Sequence, residues 1–212
     1  MINGDDQQPM TPPLSGIVDA FEDLARLVES KKAGEGDLML ATFCEACSLV
    51  SVLFSCLGLA FKFAELEYVA KVQDLLEASK SHQTLLHILD YDIMNDTVKT
   101  QGSHTRNLRR VRQGIDLIRT IFENFVSSDD NSLKESATTA YAKVCAPYHT
   151  WAVRTAVYAG MYTLPTREQL LQKLNETDKT ADKMMRRYIR ASAPVIEYID
   201  SLYVSRKISL DW

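Results

Sequence analysis

The chain has 212 residues, 46% of them hydrophobic, enough to bury a full core as one domain. A formal charge of −4 and a pI near 5.6 argue against general affinity for a nucleic-acid backbone, although a local basic patch can still hold phosphate. The four cysteines build neither a disulfide framework nor a zinc site: Cys44, Cys47 and Cys56 share one apolar segment, Cys145 stands apart, and the single CxxC lacks a second pair or a nearby histidine. They read as reduced core thiols of a cytoplasmic protein with no metal and no cofactor.

The first residues carry no hydrophobic signal core, and Pro9, Pro12 and Pro13 mark residues 1–13 as a flexible arm ahead of a single domain over 14–212. Ile17–Ser30 has helical patterning. Ala46–Phe61 carries no charge, but the run is shorter than the ~18 residues of a membrane span. It reads as a central helix, apolar on every side and covered by others, with Gly58 allowing a bend or a close neighbour. Glu65–Ala78 and Thr84–Lys99 are helical next, and Glu67 and Lys71 stand at i,i+4 in the order that favours an intrahelical ion pair.

Gly102–Phe125 is the most informative stretch. Leu108, Val111, Ile115, Ile118, Phe122 and Phe125 recur at steps of three and four, which places them on one buried helical face behind Ser103 as N-cap. Arg112 can pair with Asp116 and Arg119 with Glu123. Arg106 and Arg110 have no acidic neighbour at helical spacing and lie one turn apart at the edge of the apolar stripe, where an external anion would complete the arrangement. The other reading is two solvated arginines whose stems cover apolar surface. Arg109 also lacks a neighbouring acid, but it is placed on the solvent side.

Ser127–Asn131 reads as a polar loop, Pro147 as a helix interruption, and Thr166 with Gln169 as a capping box. Helical patterns run over Lys134–Val144, His149–Gly160, Arg167–Leu174, Thr177–Ala191 and Pro194–Lys207, with Pro194 suited to a first turn. The ending Leu210-Asp-Trp212 is expected to fold back onto the body. No alternating strand is visible, so the fold class is all-α, with helices in layers.

Several ordered motifs then define a resemblance: Cys47–Ser51 (CSLVS), Gly58–Lys71 (GLAFKFAELEYVAK), Gly102–Arg110 (GSHTRNLRR), Pro147–Trp151 (PYHTW), Gly160–Thr166 (GMYTLPT) and the terminal Leu210–Trp212. Together they resemble the glycolipid transfer protein family, in its branch that carries ceramide-1-phosphate, over nearly the whole chain after the arm. The resemblance implies a two-layer helical sandwich of about eight or nine helices and no sheet. Such a protein is not an enzyme: it carries one sphingolipid between membranes, head group at the surface and chains inside. By position, Lys71, Arg106 and Arg110 would hold the phosphate, His149 the ceramide acyl carbonyl and Glu67 the ceramide amide. Trp151 would lie near the pocket or the membrane-facing rim, unless it is a core tryptophan. In the sugar-binding branch tryptophan is typical at the position of Arg110 and asparagine at that of Lys71, so both residues favour phosphate. The family usually has aspartate where this chain has Glu67, which leaves open a second role, pairing with Lys71 or an arginine.

Desolvating a sixteen-carbon chain costs about 12 kcal/mol, which surface hydrogen bonds cannot offset, so an apolar interior walled by helices around 38–64 and 108–125 is expected. Membrane contact is expected to be peripheral and reversible, aided by Arg109 and Lys62 at anionic surfaces, and the protein to be a monomer without nucleic-acid partners. A phospholipid-cleaving enzyme would need a nucleophile elbow, a metal pair or a phosphate-cradling glycine loop, and none is visible. A sphingolipid sensor or signalling adaptor that binds without net transport is the alternative function.

Overall fold

The computed structural model describes residues 12–32, 36–128 and 132–212. Residues 1–11 of the arm expected over 1–13, and residues 129–131 of the polar loop, lie outside the described residues; Pro13, the last residue of that expected arm, opens the first helix. Among the described residues nine α-helices follow in order: α1 (Pro13–Lys32), α2 (Leu40–Cys56), α3 (Lys62–Ala78), α4 (Leu85–Met94), α5 (His104–Ser127), α6 (Leu133–Val144), α7 (Trp151–Gly160), α8 (Arg167–Leu174) and α9 (Asp178–Ser205). Three short 3-10 turns intervene, and no strand forms among the described residues beyond two isolated bridges. The helices pack as a two-layer sandwich. α5 touches α2, α3, α4, α6 and α9, while α1 lies against α9 and α2. All six residues of the sequence-defined α5 stripe are buried.

Local chemistry sets the boundaries. Ser103, Thr150, Thr166 and Thr177 cap α5, α7, α8 and α9 through side-chain oxygens, and Thr166 with Gln169 closes the expected box. Gly58 adopts φ +80, which breaks the uncharged run into α2 and a 3-10 turn at Leu59–Phe61. Leu49 and Val52 on α2 are exposed, so that run is covered on one side only, and the expectation of an all-round buried helix is corrected.

Pro194 is a second correction. It sits inside α9 and does not open a new helix, because the buried stripe of Met185, Tyr188, Val195, Ile199 and Leu202 continues through it. Burial of that stripe outweighs the one backbone bond that proline removes. The tail folds back as expected: Leu210 and Trp212 pack on the core, and the Leu210 carbonyl accepts from Arg109 Nη2 at 2.7 Å. All four cysteines are free and buried. Burial pushes the Cys44 and Cys145 thiols up to about 12 and that of Cys47 well above its ordinary value, which makes them poor nucleophiles.

Candidate functional site

α5 carries the centre of the site. Gly102, at φ +84, turns the chain into the Ser103 cap, whose hydroxyl accepts from the Arg106 backbone N–H at 3.2 Å. Buried Asp92 on α4 accepts from the Thr105 N–H at 2.6 Å and from the Thr97 hydroxyl at 2.9 Å, which pins the first turn of α5. Arg106 then donates through Nη1 to the Lys99 carbonyl at 3.1 Å, and Arg110, one turn on, donates through Nη1 to Gln113 Oε1 at 2.7 Å. Neither guanidinium has an acidic partner among the described residues. Burial, then Arg106, then Arg109 pull the Arg110 pKa down: its charge is held in the free protein against desolvation and like-charge repulsion.

Lys71 lies on α3, which packs on α5. Asn107 donates to Asp74 across the two helices at 3.3 Å, and a Cβ added at Gly114 would stand 2.5 Å from the Tyr68 ring. The two contacts run antiparallel, and along their own helices Lys71 and Arg110 fall midway between them. Tyr68 is fixed at its other end, its hydroxyl donating to the Cys47 carbonyl on α2 at 2.9 Å. The Lys71 ammonium lies 3.8 Å from Glu67, so the free protein holds the i,i+4 pair that the sequence offered as the second role of Glu67.

His149 ends the 3-10 turn Ala146–Tyr148 that Pro147 imposes between α6 and α7. Its Nδ1 lies 2.8 Å from the Tyr141 hydroxyl. Its pKa is lowered, first by burial and then by Arg110, which brings the imidazole into the field of the arginine cluster. Trp151 leaves the group. At 74% exposure it is not a core residue, and it lines a surface cleft of about 450 Å³ with Pro147, Arg154 and Tyr158. A second cleft, of about 510 Å³, lies between Gly58, Pro165 and Lys173. Neither reaches Lys71, Arg106 or Arg110. The expected walls of an apolar interior, among them Phe43, Val50 and Phe54 of α2 and Val111, Ile115 and Ile118 of α5, are buried in one continuous core.

Arg109 corrects the expectation of a solvent-facing charge. It is 4% exposed, pairs with Asp200 of α9 at 3.1 Å and lies 5.9 Å from the centre of the Tyr148 ring. The same carboxylate accepts from Arg112, which also pairs with Asp116 at 2.7 Å. Lys62 is exposed and paired with Glu65 at 3.1 Å. Three residues at the site were not singled out from sequence: Gln113, Tyr141 and Asp200. The one available signal was weak, a glutamine three residues after Arg110, at a spacing where helical side chains meet.

Comparison with known proteins agrees with this architecture. The glycolipid transfer protein family model matches residues 38–176, and the chain belongs to that family. It is 66% identical over 209 residues to an Arabidopsis thaliana protein named ACD11 homolog protein, with 97% of this chain and 91% of the relative covered. It is 50% identical over 201 residues to Accelerated cell death 11 of the same plant, covering 94% and 96%. A crystal structure of a point mutant of Arabidopsis ACD11 complexed with ceramide-1-phosphate matches at a TM-score of 0.92 and 49% identity, over 96% of this chain and 100% of that one.

Proposed function

We propose that this protein carries ceramide-1-phosphate between membranes without vesicles, residues 14–212 acting as one lipid-binding unit. The observation that carries this reading is the Arg106 and Arg110 pair: two guanidinium groups one turn apart, one of them desolvated, with no acid to neutralise either among the described residues. A phosphate dianion satisfies such a pair through directional, charge-assisted hydrogen bonds. The complex of the 49%-identical ACD11 with the same lipid supports the choice of ligand.

In the reaction sequence Lys71 exchanges Glu67 for a phosphate oxygen, Arg106 and Arg110 grip the others, and His149 bonds the ceramide acyl carbonyl. The freed Glu67 carboxylate takes the ceramide N–H. No covalent step is involved. The hydrocarbon chains enter by parting the packed apolar faces of α2 and α5. The lipid leaves one apolar phase for another, so exchange is nearly balanced for the chains and the head group sets selectivity. α7 buries none of its residues; it carries the exposed Trp151 at its start, and the exposed Tyr162 follows its end, with Lys134 over that ring at 3.3 Å. This aromatic and basic rim suits transient contact with an anionic membrane surface by a cytoplasmic monomer.

The test is transfer of fluorescent ceramide-1-phosphate from donor to acceptor vesicles, with galactosylceramide as competitor. Saturable transfer of intact lipid that galactosylceramide does not inhibit is expected. Binding without transfer would make the protein a sensor, and release of a cleaved lipid would make it an enzyme; either result overturns the carrier reading.

A further inference from the structure

The geometry points to Tyr141 as a positioning residue that fixes His149 in the tautomer protonated on Nε2, so that the imidazole faces the site as a hydrogen-bond donor and takes an acceptor oxygen there. This rests on the lipid-carrier reading only for the identity of the acceptor. Two arrangements fit the 2.8 Å contact between Tyr141 Oη and His149 Nδ1. In one, the phenol donates to a bare Nδ1 and the ring proton sits on Nε2. In the other, Nδ1–H donates to the phenol oxygen and Nε2 is a lone pair.

Tyr141 decides between them. It is 3% exposed, packs edge-on against Tyr158 with ring centres 5.4 Å apart, and has His149 as its hydrogen-bond partner. If its oxygen accepted from Nδ1–H, its own buried proton would be left without an acceptor, at a cost of about five- to a hundredfold in population. If it donates, the proton is used and nothing is orphaned. The groups around the pair keep both partners neutral: burial and the Arg110 charge disfavour imidazolium, and burial with Cys145 and Tyr158 holds the phenol protonated up to about 12. His149 is only half-buried, so Nε2–H can meet a ligand, and a carbonyl oxygen is the acceptor the lipid presents beside its phosphate.

Long-range ¹⁵N–¹H correlation spectra of the full chain without lipid give the readout. In the wild type, His149 is expected with a protonated Nε2 and a lone-pair Nδ1. In Tyr141→Phe, which keeps the ring packing, the two tautomers should mix and the His149 midpoint should rise, because a donor on Nδ1 no longer opposes protonation. Transfer of ceramide-1-phosphate and binding of neutral ceramide should fall by the same factor, about three- to tenfold. An Nδ1–H tautomer in the wild type, or a Tyr141→Phe spectrum and titration unchanged from wild type, overturns the proposal. The spectra need no ligand, so failure of the carrier reading leaves this result intact, and failure here leaves carriage intact.

Discussion

Arg110→Leu separates binding from stability because the same charge acts in opposite directions on the two. In the free protein its guanidinium is desolvated and repelled by Arg106 and Arg109, so its removal relieves strain and the thermal midpoint should hold or rise. In the loaded protein Nη1 stays with Gln113, and Nε and Nη2 remain for the phosphate. A hydrogen bond to a charged group contributes about 1.5–3 kcal/mol, so loss of even one of these two predicts transfer of ceramide-1-phosphate weaker by at least roughly ten- to a hundredfold. Binding of neutral ceramide should stay within about twofold. Vesicle transfer assays with both lipids, run beside thermal unfolding, supply the numbers. Wild-type transfer, or an equal loss for neutral ceramide, refutes the phosphate role; a midpoint lower by more than about 5 °C means Arg110 was holding the fold.

Gln113→Glu should damage phosphate selectivity as severely as loss of Arg110, since it places a carboxylate where a neutral amide now orients the guanidinium; transfer measured against salt will show it. Gly114→Ala should cost about 1–3 kcal/mol in urea unfolding, because the new methyl would meet a Tyr68 ring that Cys47 already anchors. The His149 and His82 pKa values both lie below the ordinary 6.5. The unfolded chain therefore takes up protons first, and stability present above 6.5 is lost as pH falls through the lowered values. For His82 the causes are burial, His104 and His87, against Asp92. Replacing both histidines with glutamine should flatten the urea-unfolding slope between about pH 7 and pH 5.

Periodicity made the α5 stripe legible, and the missing acids at i±3 and i±4 made Arg106 and Arg110 legible, because both signals are local. Arg109 was misplaced for the opposite reason. Its acid, Asp200, is 91 residues away on α9, and a single-stripe reading cannot register a helix covered on several sides. Pro194 misled in the same manner: proline's local rule was sound, but α1 and α5 bury the stripe that carries α9 past it. The Tyr141 contact to His149 spans eight residues and depends on the turn that Pro147 sets, so no helical spacing announces it. The Glu67 and Lys71 pair was plain from spacing alone.

α5 shows how such a helix can be both core and binding surface. It carries five arginines, at 106, 109, 110, 112 and 119. Asp200, Asp116 and Glu123 bind Arg109, Arg112 and Arg119, which ties the helix to α9 and along its own length. These pairs are partly or wholly desolvated, so losing Asp200 would leave the buried Arg109 without an acid and Arg112 with Asp116 alone, a more severe defect than loss of an exposed pair. Arg106 and Arg110 instead receive a backbone carbonyl and an amide, partners that orient a guanidinium without cancelling its charge. The helix thereby sorts like residues by the charge of what they meet: carboxylates where α5 holds the sandwich together, neutral oxygens at the two arginines proposed to receive the phosphate. Exchanging the two arrangements, with Asp200→Asn beside Gln113→Glu, should lower the thermal midpoint and phosphate selectivity together, whereas Gln113→Glu alone lowers selectivity only.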